Sequence, residues 1–173
     1  MHCLSIINRP LLKSCCAITL SLASFSHNVC ADIKAGVLAY KSADYTTALK
    51  EFIAAGEAGS AQAQYMVGTM YDNGQGTAAN DAEALKWYER AARLGFVRAQ
   101  YDLALMLLNG EGMEKPDYLQ AYAWFSVAAD KGDAEAIDKR DLLETRMNEP
   151  TLKLAKSKAE KLSKEISKKP DVK

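Results

Sequence analysis

From Asp32 to Lys173 the sequence contains neither cysteine nor histidine; all four cysteines and both histidines lie at or before Cys30. Such a stretch has no disulfide, no thiolate nucleophile, no imidazole base and no Cys/His zinc centre, which leaves carboxylate, Lys, Ser, Thr and Tyr chemistry. No catalytic residue, cofactor site or metal site is expected. Stability must come from packing alone.

A basic surface over the body of the chain is missing as well. Residues 32–149 hold 12 Lys plus Arg against 19 Asp plus Glu, a net −7, whereas residues 150–173 hold 8 Lys against 3 acids, a net +5. A phosphate-binding surface is basic over the fold itself, so no nucleic-acid partner is expected. The Gly-x-Gly pairs Gly74/Gly76 and Gly110/Gly112 lack the third glycine and the βαβ context of a dinucleotide site and read as turn glycines.

A long apolar run is also absent. Arg9 and Lys13 precede an uncharged stretch, Ser14–Ala31, in which Ser14, Thr19, Ser21, Ser24 and Ser26 interrupt Ile18, Leu20, Leu22 and Phe25. That is too polar for a stable span and closes on the small residues of Val29-Cys30-Ala31. Residues 1–31 are therefore expected to be a signal peptide cut between Ala31 and Asp32, giving a periplasmic or secreted chain of 142 of the 173 residues. No integral membrane segment should remain after cleavage.

What is present is repetition. Ala63-Gln64-Tyr65 returns as Ala99-Gln100-Tyr101, Gly74-x-Gly76 as Gly110-x-Gly112, Trp87-Tyr88 as Trp124-Phe125, Ala91-Ala92 as Ala128-Ala129 and Gly95 as Gly132. These groups share a spacing of 36 and then 37 residues, a helical-solenoid period, with the extra residue in the loop after Gly112. Each unit reads helix, turn, helix. Ser60 caps a first helix that Gly74 ends, and Asn80 with Glu83 forms a capping box for a second, as do Asp117 and Gln120. Ala84, Trp87, Tyr88, Ala91 and Ala92 then make one apolar stripe, which predicts burial of both Trp-aromatic pairs. Gly68, mid-helix at a cost of roughly 1 kcal/mol relative to Ala, predicts a close helix contact.

The string A-x-A-Q-Y, Gly-x-Gly, Asn or Asp before a helix, W-[YF] and A-A-x-x-G resembles the Sel-like repeat, a variant of the tetratricopeptide superfamily. The resemblance covers Ser60–Gly132 and implies an all-α, right-handed α-solenoid of about four antiparallel helix pairs that serves as a scaffold for protein partners. It departs from the branch of that family in which each repeat is stapled by a disulfide. Residues 32–59 read as a tetratricopeptide-like N-terminal unit, 60–95 and 96–132 as Sel-like repeats, 133–168 as C-terminal capping helices and 169–173 as a tail.

The expected function is that of a periplasmic or secreted adaptor or regulator, monomeric, which binds a protein or peptide in its inner groove. The groove-facing residues are Tyr65, Thr69 and Asp72 in one unit, Tyr101, Leu105, Leu108 and Asn109 in the next, and Asp138 beyond. Aromatic and aliphatic anchors beside adaptable polar groups suit a partner surface. The same residues also suit a cell-wall glycan, and acid pairs such as Asp72 with Glu111 or Asp138 with Asp141 leave a carboxylate-dependent wall hydrolase as a third reading.

Overall fold

A computed structural model describes residues 25–168. They form eight helices: α1 (Phe25–Lys41), α2 (Tyr45–Glu57), α3 (Ala61–Asp72), α4 (Asp81–Arg93), α5 (Val97–Asn109), α6 (Tyr118–Ala129), α7 (Ala134–Arg146) and α8 (Glu149–Ser167). Among the described residues there is no strand, and no helix is long and apolar enough to cross a membrane. The signal-peptide reading of residues 1–24 lies outside the described residues, and α1 runs through the expected cleavage point at Ala31 and Asp32.

Most helix starts are set by one polar side chain. Asp44, Ser60, Asn80, Asp117, Asp133 and Asn148 each accept the backbone N–H three residues on, satisfying a donor that the first turn would otherwise leave free. The reciprocal half of the expected capping boxes is not made. The Asn80 N–H donates instead to the Tyr71 carbonyl and the Asp117 N–H to that of Leu107, both at 2.9 Å, tying the second helix of each unit to the end of the first. Glu83 is left to pair with Lys86, and the Gln120 amide bonds the second oxygen of Asp117.

Within a unit α1 packs on α2, α3 on α4 and α5 on α6; between units α2 packs on α3, α4 on α5 and α6 on α7. The junctions repeat as the sequence does. The buried Gln64 amide donates to the Gly56 carbonyl at 2.8 Å, and Gln100 to that of Ala92 at 3.1 Å. The loop glycines carry the second inter-unit contact. Gly112, in the left-handed region at φ 74°, lies so close to the start of α4 that a Cβ would stand 2.7 Å from the Asp81 carbonyl oxygen. Gly76 sits in the same way on Tyr45 and Thr46 at the start of α2.

Trp87, Tyr88, Trp124 and Phe125 are all buried, as the apolar stripe predicts. The fourth pair departs from the expected pattern: α8 packs along α6 rather than on its own partner α7. The cause is visible in α6. Where α4 presents Lys86, Glu89, Arg90 and Arg93, the equivalent positions of α6 are Ala123, Ser126, Val127 and Asp130. Lacking an outer charged face, α6 has to be covered on that side too. Every residue from Ala121 to Ala129 is buried, with Ala155 and Ala159 of α8 closing over them and Leu152, Leu162 and Ile166 partly buried alongside. Leu142, placed on the apolar stripe of α7 by its spacing, is instead 45% exposed because α8 does not lie against that side.

Candidate partner-binding face

The candidate face is built by α3, α5 and α7, with one ring reaching it from α4. Gly68 of α3 makes that reach possible: a Cβ there would stand 2.6 Å from the ring of Tyr88. Tyr88 is buried, and its hydroxyl emerges 3.4 Å from both Thr69 Oγ1 and Asp72 Oδ2. In the next unit the pair becomes Ala104 and Phe125, a larger backbone residue opposite a ring without a hydroxyl. Burial pushes the Tyr88 phenol well above its ordinary range, so it stays a neutral donor.

Beside it, Tyr65 lies between Tyr88 and Phe96, ring centroids 5.6 and 5.0 Å away, and donates its hydroxyl to Asp102 Oδ2 at 3.0 Å. Asp102 also pairs with Arg98, whose Nε stands 3.3 Å from Oδ2, and Arg98 Nη1 stands 3.6 Å from Glu135 of α7. A ladder of alternating polar groups thus crosses the three helices, from Tyr65 through Asp102 and Arg98 to Glu135. Burial raises the Asp102 carboxyl and is only partly offset by Arg98 and the Tyr65 hydroxyl. Asp72 is raised by burial first and then by the neighbouring charges of Glu111 and Asp81.

The sequence-predicted residues separate into four groups. Tyr65, Thr69 and Asp72 come together with Tyr88 and Asp102 as one cluster. Leu105 is partly buried, and Asn109 and Asp138 are exposed, with Asn109 Nδ2 donating to Glu111 at 2.9 Å. Leu108 lies apart, in a hollow beside Tyr118. Tyr101 requires a correction, since it is only 6% exposed and stands edge-on to Phe125 at 5.7 Å with the Arg98 guanidinium over its ring. It is a core residue, because α7 and the following unit close over it.

Sequence reasoning passed over Asp102, Arg98 and Glu135. The signal available was the change from Met66 in one unit to Asp102 in the next, a charge entering a position that is apolar one repeat earlier. Among the described residues no group of three or more His, Cys, Asp and Glu could hold a metal ion. The face offers phenol and carboxylate hydrogen bonds, one guanidinium and aromatic edges, which are the means of recognition.

The Sel1 repeat family model matches residues 61–96 and again residues 97–133. Among solved structures the chain is similar to c5321, a protective antigen present in uropathogenic Escherichia coli strains and displaying an SLR fold, with a TM-score of 0.74 and 22% identity over 83% of this chain and 31% of that one. It is also similar to a Sel1 repeat protein from Oxalobacter formigenes, with a TM-score of 0.61 and 28% identity over 69% of this chain and 92% of that one. This chain therefore spans about a third of the length of c5321 and most of the length of the second protein. No curated protein sequence matches it. Sel1 repeats are generally protein-interaction scaffolds and typically non-enzymatic. By repeat sequence and by fold, the chain is an all-α solenoid that contains two Sel1 repeats.

Proposed function

We propose that this chain is an exported, non-enzymatic adaptor that holds a protein or peptide partner against the face formed by α3, α5 and α7. The observation that carries the reading is the cluster of Tyr65, Tyr88, Thr69, Asp72 and Asp102, in which two phenols support two carboxylates at the protein surface. Packing alone explains the rings, but not the two carboxylates that their hydroxyls meet at the edge of the face. Export is supported by the composition of residues 1–31, with Arg9 and Lys13 ahead of an uncharged stretch ending in small residues.

The test is affinity capture from an envelope extract, with the wild-type chain compared with an Asp72→Lys, Leu105→Asp variant. A partner retained by the wild type and lost by the variant, at equal thermal stability, is the expected result. Equal capture by both chains would place recognition elsewhere. Intact mass of the chain recovered from the envelope tests export, because retention of Cys30 would contradict cleavage after Ala31.

A further inference from the structure

The solenoid carries a series of docking slots, of which the last stands open. In the first slot, the Gly74-Gln75-Gly76 turn seats its second glycine on the start of α2, and Gln75 accepts the Tyr40 hydroxyl at 2.9 Å. In the second, the Gly110-Glu111-Gly112 turn seats on Asp81 and Ala82 at the start of α4, with Glu111 beside Asp72. Tyr40, Asp72 and Leu108 hold the same position at the ends of α1, α3 and α5, and Tyr45, Asp81 and Tyr118 hold the first position of α2, α4 and α6. The third slot should therefore lie between Leu108 and Tyr118.

Nothing in the described chain fills it. The helices α3 and α5 are each followed by an eight-residue connection, but α7 passes to α8 through Met147 and Asn148 alone. At the vacated position is a hollow of about 380 Å³ lined by Leu108, Tyr118, Leu143, Met147, Arg146 and Thr151 among others. Tyr118 is 53% exposed there, and Arg146 has no ion pair among the described residues.

We infer that this hollow is a docking site for a Gly-x-Gly turn supplied by another protein, carrying an apolar residue between its two glycines and, beyond them, a carboxylate directed at Arg146. The inference rests on the adaptor reading above and extends it to a second surface and a stated ligand chemistry. Continuity with the two filled slots carries it: the same backbone positions recur, and in both filled slots the glycine approaches too closely for any other residue. The slot's own chemistry sets the rest. Its floor changes from a phenol at Tyr40, through a carboxylate at Asp72, to an aliphatic side chain at Leu108, which asks for an apolar group where Gln75 and Glu111 stand in the others. A second copy of this chain is not the occupant, because both of its Gly-x-Gly turns are already seated in its own slots.

The probe is a peptide with the sequence of Gly110–Asp117 in which Leu replaces Glu111, so that it keeps the Gly-x-Gly turn and the acid Glu114 and carries an apolar residue between the glycines. Added at about 1 mM to the isotopically labelled full chain, it should shift amide resonances clustered around Leu108, Tyr118, Leu143 and Met147. Binding should weaken about tenfold in Tyr118→Asp and in Arg146→Glu, and should vanish when the peptide's second glycine is replaced by Ala. Tyr118→Asp retains the fold, since Asp81 already occupies the same position of α4. Three results would overturn the inference: no shifts, shifts that survive both variants and the Ala peptide, or concentration-dependent shifts at the hollow without peptide, which would mean that a second copy fills it. Loss of the slot with envelope capture intact removes this inference alone; capture abolished by the Asp72 and Leu105 changes with the slot intact separates the two surfaces.

Discussion

Gly68 and Tyr88 are fitted to one another, because the ring of Tyr88 occupies the volume that any side chain at position 68 would need. Gly68→Ala, which in a free helix gains about 1 kcal/mol, should here cost roughly 1–3 kcal/mol as the ring is forced aside. Thermal melts of the single variant check this. A stabilised Gly68→Ala would mean that α3 and α4 separate without cost.

Tyr65 and Tyr101 share a place in the repeat but not an environment. Tyr101→Ala should lose roughly 3–5 kcal/mol, the range for removing a buried aromatic ring, whereas Tyr65→Phe should lose only about 1 kcal/mol with its hydrogen bond to Asp102. Denaturant titration of the two variants distinguishes them. Comparable losses would mean that the two rings do the same work.

The acids of the face and of the caps should respond to pH in opposite directions. Asp72 is raised in the folded state by burial and then by Glu111 and Asp81, so folding favours its protonated form and its ionisation costs stability as pH rises through its folded pKa. Asp72→Asn should thus stabilise the chain at neutral pH and be neutral well below the ordinary carboxylate range. Burial also acts to raise Asp117, but the backbone and side-chain amides of Gln120 outweigh it and leave the carboxyl lowered. Its contribution is present above the unfolded pKa and is lost as pH falls through the folded one. Asp117→Asn should destabilise at neutral pH, with the difference closing in acid. Stability of each variant followed from pH 7 downward by chemical denaturation reads both signs; parallel profiles would contradict them.

Ending the chain at Glu149 should expose the outer side of α6, at Ala123, Ser126 and Val127, and destabilise the fold by several kcal/mol. Binding of an apolar dye by the truncated chain, with a large fall in melting temperature, is the expected pair of observations. A truncated chain that melts like the parent would show that α8 is not needed as a cover.

The helices, their caps and the repeat register were legible because each depends on residues within one turn or one period of each other: Asn80 on Glu83, Gly110 on the end of α5, Trp87 on Ala91. The depth of Tyr101 was not, since helical spacing says which side a residue faces but not how far the next unit closes over it. The path of α8 depends on a comparison of α6 with α4, where Lys86, Glu89 and Arg90 give way to Ala123, Ser126 and Val127. The ladder through Asp102, Arg98 and Glu135 depends on the angle between three helices, which no local pattern encodes.

The double use of α6 bears on how the molecule opens. Among the described residues the buried side chains fall into two clusters, a smaller one around Phe52, Val67 and Met70 and a larger one centred on α5 and α6. Only the second is closed by a helix that returns over it from the C-terminal side. Amide protons of α1 and α2 should therefore exchange with solvent through partial openings that leave α5, α6 and α8 folded, while those of α6 exchange only when the whole chain unfolds. The solenoid is then graded along its length, loose at one end and anchored at the other.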